Sequence, residues 1–261
     1  MSGDILLQEA GAWKAPLPWE PRQESGMSLP VSERVAVVTG AGSGIGRETA
    51  ILFGELGYVV VLVGRDEVKL ALVQELLPGS VVMKCDMGDA SAVEKLIAAV
   101  DLRFGHIDVL VNNAGTTPLK PIEDYEIAEI DQIFRVNAVG PCVAIARTLP
   151  IMKRHGGGCI VNVSSMATID PFPGLYPYAA AKASVNLMAR SVVNEAGKHG
   201  VRAFAVAPGA VETPLLRTLF KADAFPASRT LDPKSVARTI VECVQGKRDA
   251  ENGKTIFLPS P

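Results

Sequence analysis

From Arg34 onward the chain alternates short apolar runs with longer segments of helical spacing. "RVAVVT" is rich in β-branched residues and ends at a glycine, as a buried parallel strand does. "IGRETAILFGELG" then has helical spacing, and "YVVVLV" repeats the strand pattern. The alternation continues to the strands "VRAFAVA" at Val201 and "KTIFL" at Lys254. It predicts an α/β fold, a Rossmann-type doubly wound parallel sheet with helices on both faces.

The alternation shows no second hydrophobic pattern and no internal repeat, so it predicts one domain over residues 31–261. Long helices are expected at about residues 123–149 and 178–199. Residues 1–30 differ, because prolines interrupt them and they hold both tryptophans, Trp13 and Trp19. We interpret them as an N-terminal extension that lies against its own domain or a neighbouring subunit, since tryptophans are costly to leave in water. The alternative is a disordered tail, which is dispensable if Met27 is an internal start site.

Charge and hydropathy exclude several classes of protein. The 261 residues carry a net charge of -2 and no extended basic run, which argues against a partner such as nucleic acid or anionic lipid. No apolar run approaches the roughly 18–20 residues that a membrane span needs, so no membrane association is expected. The composition is that of a chain with a substantial buried core.

The cysteines and histidines do not form a metal-binding pattern. The four cysteines lack CxxC spacing, and the three histidines are isolated from them and from each other in the sequence. We therefore predict no metal site. Free cysteines in apolar runs indicate a reducing compartment, and we expect a cytoplasmic protein.

A glycine-rich turn follows the first predicted strand. "TGAGSGIGR" has Gly40, Gly44 and Gly46 where the strand must turn into a helix. Residues without a Cβ let the backbone approach a phosphate, and the helix N-terminus offers N–H groups and a favourable dipole. The G-x-x-x-G-x-G spacing differs from the commoner G-x-G-x-x-G fingerprint. In this position it indicates a dinucleotide site.

The end of the second strand bears on which nicotinamide cofactor is used. An acidic residue there would bind the ribose 2′-OH of NAD, but the sequence has Gly64 followed by Arg65. The planar guanidinium of Arg65 suits a 2′-phosphate, so NADP(H) is favoured and NAD(H) stays open. Asp66 is interpreted as a helix cap. Asp86, after the third strand, either accepts a hydrogen bond from the adenine amino group or, with Asp89, caps a helix.

Two later motifs combine polar side chains with helix or turn geometry. "NNAG", residues 112–115, ends the fourth strand and suits a tight turn against a flat ring. In "GLYPYAAAK" the phenol of Tyr178 and the amine of Lys182 are four residues apart, so a helix projects them from one face. Tyr176 has no such partner, because its fourth residue on is Ala180. A nearby ammonium favours the phenolate and is expected to lower the pKa of Tyr178.

With "TGAGSGIG", "NNAG", "SS" and "YAAAK" in this order, the chain resembles the classical short-chain dehydrogenase/reductase family, and within it the NADP-dependent carbonyl and 3-oxoacyl reductases. The family's serine stands thirteen residues before its tyrosine, which matches Ser165 rather than Ser164. The resemblance therefore implies Tyr178, Lys182, Ser165 and Asn137 as catalytic residues. Tyr178 would be the general acid, Ser165 would bind the substrate oxygen, and Asn137 would hold a water in a proton relay.

The resemblance also implies a cofactor site and, with less support, a substrate pocket. The cofactor residues would be Gly40, Ser43, Gly44, Ile45, Gly46, Arg65, Asp86, Asn113, Ala114, Gly115, Tyr178, Lys182, Pro208, Gly209, Val211 and Thr213. The pocket would include Met166, Phe172, Leu175, Leu215, Leu216 and Phe220. The segment after Thr213 is a candidate lid, in which Arg217 or Lys221 would meet an anionic substrate if the substrate is charged.

Three functions are consistent with these residues. The first is an NADP(H)-dependent carbonyl reductase acting on a ketone or secondary alcohol, including the 3-oxoacyl type. The second is an NAD-dependent alcohol, sterol or sugar dehydrogenase. The third is a nucleotide-binding regulator without turnover, against which the four catalytic residues argue. The C-terminal "GKTIFLPSP" lacks the family's usual "DGG", yet the two long helices are still expected to pair subunits into a homodimer or homotetramer.

Overall fold

The computed structural model describes residues 34–261, so the predicted extension at residues 1–30 lies outside the described residues. In this part of the chain seven strands form one sheet, in which every neighbouring pair is parallel. They are β1 (Val35–Thr39), β2 (Val59–Gly64), β3 (Val81–Lys84), β4 (Val109–Asn112), β5 (Gly158–Val163), β6 (Val201–Pro208) and β7 (Thr255–Leu258). The order β3-β2-β1-β4-β5-β6-β7 confirms the predicted Rossmann-type sheet.

Within residues 34–261, eight α-helices connect or flank these strands. They are α1 (Gly44–Glu55), α2 (Glu67–Leu76), α3 (Ala90–Phe104), α4 (Ile127–Phe134), α5 (Gly140–Arg154), α6 (Tyr176–Ala196), α7 (Pro214–Leu219) and α8 (Pro233–Val244). Two of the predicted caps are present. The Asp66 carboxylate accepts a hydrogen bond from the Lys69 N–H, and the Asp89 carboxylate accepts from the first turn of α3.

The sheet separates two apolar cores, because successive strand side chains point to opposite faces. Val35 and Val37 of β1 belong to the core that α3, α5 and α6 cover. Ala36 and Val38 belong to the other core, which α1, α2 and α8 cover. Burial on both faces explains why the strands read as continuous apolar runs rather than as an alternation.

The helix predicted at residues 123–149 is interrupted in the structure. A short 3₁₀ turn (Ile122–Asp124) precedes α4, and a π-helical segment (Arg135–Val139) joins α4 to α5, which runs on to Arg154. Apolar spacing read over a long run predicts a continuous helix and does not locate a single turn in which the backbone hydrogen bonds change. The other predicted helix begins at Tyr176, and a 3₁₀ turn at Gly197–His199 continues it.

The strand order reverses between β1 and β4, since chain connections leave in opposite directions from this pair. A crevice forms at such a reversal outside the carboxyl ends of the strands. The glycine turn after β1 and the residues that follow β4 lie on either side of it. None of the helices within residues 34–261 has the length and apolar character needed to cross a bilayer.

At the amino ends of the strands, the structure corrects the expectation that the histidines are isolated from one another. His106 and His155 are distant in sequence, but they precede the adjacent strands β4 and β5, and their rings lie 5.9 Å apart. The His106 Nε2 atom is also 3.4 Å from the Asp108 carboxylate. Within residues 34–261, no group of three or more metal-ligating side chains has the geometry to hold a metal ion.

Candidate active site

A cavity of about 550 Å³ opens at the carboxyl ends of the central strands. It brings together most of the residues that the sequence singles out. The predicted cofactor and catalytic residues that line it are Gly40, Ser43, Gly44, Ile45, Asn113, Ala114, Gly115, Ser165, Tyr178, Lys182, Pro208, Gly209, Val211 and Thr213. The predicted residues outside its lining are Gly46, Arg65, Asp86 and Asn137.

The glycine turn is packed too tightly for larger residues. A Cβ on Gly46 would lie 2.2 Å from the carbonyl oxygen of Gly40, so α1 can approach the turn only without one. Gly44 has a φ of +54°, and a Cβ there would lie 2.9 Å from the Thr213 methyl group. The N-cap residue Ser43 makes no side-chain cap hydrogen bond. The first N–H groups of α1 are therefore not capped by this side chain, and Ser43, Gly44 and Ile45 line the cavity, an arrangement that suits a diphosphate.

Thr39 and Asn113 join the two sides of the crevice. The Thr39 hydroxyl donates to the Val111 carbonyl and accepts from the N–H groups of Asn113 and Ala114. The Asn113 amide donates to the carbonyl oxygen of Thr39, at 2.9 Å. Thr39 is absent from the predicted site residues. Its position as the last residue of β1, directly before the glycine turn, could have indicated that it belongs to the site.

The two serines after β5 differ in environment. Ser164 is 2% exposed, and its hydroxyl donates to the backbone carbonyl of Lys182. The Ser165 hydroxyl accepts a hydrogen bond from the Ala167 N–H and interacts with the Tyr178 phenol in the cavity. Ser165 is thus the serine whose hydroxyl contacts the Tyr178 phenol, in agreement with the spacing of thirteen residues between them.

The helix α6 projects Tyr178 and Lys182 into the cavity from one face, as the spacing of four predicts. The Lys182 Nζ atom donates to the Val163 carbonyl at 2.7 Å and lies 5.7 Å from the centre of the Tyr178 ring. Tyr176 is 53% exposed and does not line the cavity. The two tyrosines of "YPY" therefore have different surroundings.

The expected lowering of the Tyr178 pKa is wrong. Burial raises the pKa of Tyr178 to about 12, and the hydrogen bond with Ser165 opposes this rise only in part. Burial also lowers the pKa of Lys182 to about 8. The ammonium lies over the ring and donates to a carbonyl, so removal from water outweighs its attraction for the phenolate.

Asn137 lies in the π-helical segment and is completely buried. Its amide donates to the carbonyls of Ile133 and Thr116, both at 2.8 Å, and its Oδ1 atom accepts from the Thr116 N–H. The amide bond to the Ile133 carbonyl therefore lies within the same helical run, one turn earlier. A Cβ built on Gly115 lies 2.9 Å from the Asn137 Oδ1 and 3.5 Å from the Lys182 Nζ, so these two polar atoms flank one glycine.

Arg65 and Asp86 face each other at the ends of β2 and β3. Their nearest charged atoms are 3.8 Å apart, and both side chains are well exposed. Asp86 also accepts a hydrogen bond from the Gly88 N–H, while the α3 cap is Asp89. Lys69 is a further basic residue, and it lies beside the glycine turn. Its Cβ atom is 3.0 Å from the position that a Cβ on Gly42 would occupy. Its Nζ atom pairs with Asp66.

The outer part of the cavity contains all six residues predicted for the substrate pocket: Met166, Phe172, Leu175, Leu215, Leu216 and Phe220. It also contains Phe225 and Arg229, which the prediction omits. Arg217 does not line it. Its guanidinium binds the Glu212 carboxylate and donates to the Phe225 carbonyl, so the expected role of Arg217 in holding an anion is not supported.

The model of the short chain dehydrogenase family matches residues 34–224, most of the chain. The chain belongs to the short-chain dehydrogenase family. It is therefore an oxidoreductase that acts on CH–OH or C=O groups of a small molecule, in a family whose cofactor is NAD(P)(H).

Named relatives agree with this membership. Levodione reductase of Leifsonia aquatica is 34% identical over 221 residues, which cover 82% of this short-chain dehydrogenase and 80% of the relative. An uncharacterized oxidoreductase of Staphylococcus epidermidis is 33% identical over 212 residues, 81% of this chain and 90% of the relative.

Solved structures extend the likeness to the fold. The 3-ketoacyl-(acyl-carrier-protein) reductase from Brucella melitensis complexed with NADH superposes with a TM-score of 0.80 at 31% identity, covering 87% of this chain and 96% of that structure. Levodione reductase superposes with a TM-score of 0.79 at 28% identity and the same coverage.

Proposed function

We propose that this protein is an NADP(H)-dependent carbonyl reductase that transfers hydride between the cofactor and a ketone or secondary alcohol. The observation that supports this most directly is the grouping of Ser165, Tyr178 and Lys182 in one cavity with the glycine turn. Reduction of a ketone needs hydride at carbon and a proton for the developing alkoxide. The bound cofactor supplies the hydride.

The residues of the chain supply the proton and hold the oxygen. Ser165 donates a hydrogen bond to the substrate oxygen, where negative charge develops. Tyr178 gives up its phenolic proton to that oxygen. A pKa of about 12 keeps Tyr178 protonated at neutral pH, as an acid must be. The positive charge of Lys182 stabilises the phenolate that remains.

The proton then has to be replaced from solvent. Lys182, with a pKa of about 8, is largely charged at neutral pH and exchanges protons readily. Asn137 is close to Lys182 across Gly115. A water held by Asn137 would complete the path from solvent to Lys182 and on to Tyr178.

Replacing Tyr178 by phenylalanine tests the mechanism, and Tyr176 provides a matched control in the same turn of helix. We expect Tyr178→Phe to lower kcat by about 10²–10⁴-fold, because the proton donor is lost while the ring remains. Tyr176→Phe should leave turnover within about twofold, because this phenol is exposed outside the cavity. The measurement is the loss of reduced-nicotinamide absorbance over a panel of ketones. Full turnover by Tyr178→Phe would contradict the proposal.

Preference for NADP(H) rests on Arg65 at the end of β2 and on Lys69 nearby. Arg65→Asp should raise the KM for NADPH about ten- to hundredfold, because a charge-assisted hydrogen bond to the 2′-phosphate is lost. The KM for NADH should change far less. Lys95→Asp is the control, with the same change of charge at an exposed position on α3. Equal losses with both cofactors would rule out this preference.

A second candidate is an NAD-dependent alcohol, sterol or sugar dehydrogenase. It draws support from Asp86, whose carboxylate faces Arg65, and from the bacterial relative that is complexed with NADH. The same titrations separate the two functions. The 3-ketoacyl relatives also support a 3-oxoacyl substrate, so the panel should include a 3-oxoacyl thioester beside simple ketones.

A further inference from the structure

Three phenylalanines from two separate segments meet in the outer part of the cavity. Phe172 comes from the segment before α6, and Phe220 and Phe225 come from the segment after α7. The Phe172 and Phe220 rings are 5.3 Å apart and nearly perpendicular, at 88°. The Phe220 and Phe225 rings are 5.6 Å apart at 38°. These spacings are those of favourable aromatic pairs, so the rings form one continuous aromatic wall.

The surroundings of this aromatic wall are mostly uncharged. Leu175, Leu216 and Leu219 line the cavity beside it. Among the described lining residues, the charged ones are Lys182, Asp170 and Arg229. Lys182 belongs to the proposed proton path, and the other two are exposed and opposite in sign. The wall therefore favours an uncharged group.

A polar clamp fixes the segment that carries two of the rings. The Arg217 guanidinium binds the Glu212 carboxylate through two nitrogen atoms, one of them at 2.6 Å. It also donates to the Phe225 carbonyl at 2.7 Å. The Thr230 hydroxyl donates to the same Glu212 carboxylate. Residues 217–230 are thus tied to residue 212, next to Thr213 of the proposed cofactor site.

The arrangement of the rings bears on the shape of the ligand. Because the three rings are inclined to one another, a flat ring can stack on one of them and meet the edge of another, as a flexible chain cannot. A chain also loses rotational freedom when it is ordered against the wall, and a ring has little to lose. The Arg217 clamp reduces the same loss on the protein side, because Phe220 and Phe225 are held before a ligand arrives.

We propose that Phe172, Phe220 and Phe225 form a subsite for a flat apolar ring carried by the carbonyl substrate, with Arg217 as the residue that positions two of them. This inference rests on the proposed function, since the ring has to belong to the ketone or alcohol. It narrows the substrate class to ketones and secondary alcohols that carry such a ring.

The test compares two ketones with the same number of carbon atoms, acetophenone and 2-octanone. For the wild-type protein we expect a higher kcat/KM for acetophenone. Phe220→Leu removes both aromatic pairs of the wall, and Phe225→Leu removes one of them. Each variant should lower the ratio of kcat/KM for acetophenone to kcat/KM for 2-octanone about two- to tenfold, with the larger effect for Phe220→Leu. Phe257→Leu is the control, since this partly exposed ring lies on β7 and not in the cavity lining. An unchanged ratio in both cavity variants would overturn the proposal.

A binding measurement separates this proposal from the proposed function. Dissociation constants for 1-phenylethanol and 2-octanol are measured on the full chain by ligand-observed NMR. Tighter binding of 1-phenylethanol, weakened in Phe220→Leu and not in Phe257→Leu, supports the subsite even if neither ketone is reduced. In that case the absence of turnover would contradict the proposed function, and the subsite would still stand. Equal binding of both alcohols would overturn the subsite whatever the turnover.

The clamp is tested by Arg217→Gln, Glu212→Gln and the double variant. Each single change should raise the KM for acetophenone about three- to tenfold with kcat nearly unchanged. The double variant should show less than the sum of the single effects, because all three variants lose the ion pair between Arg217 and Glu212. Arg238→Gln, an exposed arginine on α8, is the control. Melting temperatures show whether the variants fold. Equal increases in KM for both ketones, or additive effects, would contradict the positioning role.

Discussion

At Tyr178 and Lys182, removal from water moves two pKa values in opposite directions. The neutral form of each group is the one that burial favours, so the pKa of the phenol rises to about 12 and that of the amine falls to about 8. These two pKa values suit the reduction of a ketone, because Tyr178 stays protonated and Lys182 titrates near neutral pH. The cost of burying the ammonium is offset in part by its bond to the Val163 carbonyl.

This pair of values predicts a pH dependence. Lys182 is charged below a pH of about 8 and neutral above it, whereas Tyr178 stays protonated throughout this range. The kcat/KM for ketone reduction should therefore fall as the pH rises through about 8, because the charge and the proton that Lys182 provides are lost. The measurement is a pH profile of kcat/KM between pH 6 and about 10. A profile that stays flat across this range would show that Lys182 does not control the reaction.

Within α6, residues four apart along one face reach three parts of the site. Tyr178 and Lys182 face the cavity, and Asn186 follows one turn later. The Asn186 amide donates to the Thr168 hydroxyl at 3.2 Å, and that hydroxyl donates to the Ser165 carbonyl at 2.9 Å. The helix that carries the proposed acid therefore also holds the turn that carries Ser165.

The connection through Thr168 can be removed with little change in shape. Thr168→Val loses both hydrogen bonds of the hydroxyl and leaves the Asn186 amide without this acceptor. We expect kcat to fall about two- to tenfold, the equivalent of one ordinary hydrogen bond, with a smaller change in KM. Thr168→Ser keeps the hydroxyl and should retain most of the activity. If Thr168→Val and Thr168→Ser had the same kcat, Thr168 would have no part in positioning Ser165.

On the scale of the whole molecule, the helices expected to pair subunits expose apolar side chains. Phe134 and Val139, at the junction of α4 and α5, are 36% and 42% exposed, and Leu187 of α6 is 62% exposed. Exposed apolar residues on two helices that contact each other are typical of surfaces that associate. They support the prediction of a homodimer or homotetramer.

Light scattering coupled to gel filtration tests this prediction. The wild-type protein should elute as a dimer or tetramer, and Leu187→Lys should shift it toward smaller species, because burying an unpaired ammonium in an interface is costly. Leu102→Lys is the control, since Leu102 is even more exposed but lies on α3. A wild-type monomer, or the same shift in both variants, would argue against pairing through α6.

Much of this arrangement follows from patterns that are local in the chain. The alternation of apolar runs and helical segments predicts the sheet because each element has to bury a face of its own. The spacing of four predicts the shared face of Tyr178 and Lys182 because helix geometry fixes it. The interruption at Arg135–Val139 escaped this reasoning, because a π segment is selected by packing and by the Asn137 amide rather than by apolar spacing.

Contacts between distant residues have no such local signal. Thr39 and Asn113 join across the crevice only because β1 and β4 are neighbours in the sheet, and Phe172 meets Phe220 only because two loops converge above it. The sign of the Tyr178 pKa shift also belongs to the folded molecule. Sequence spacing identifies the nearby ammonium, but the extent to which water is excluded depends on every element around the phenol, and in this protein that exclusion has the larger effect.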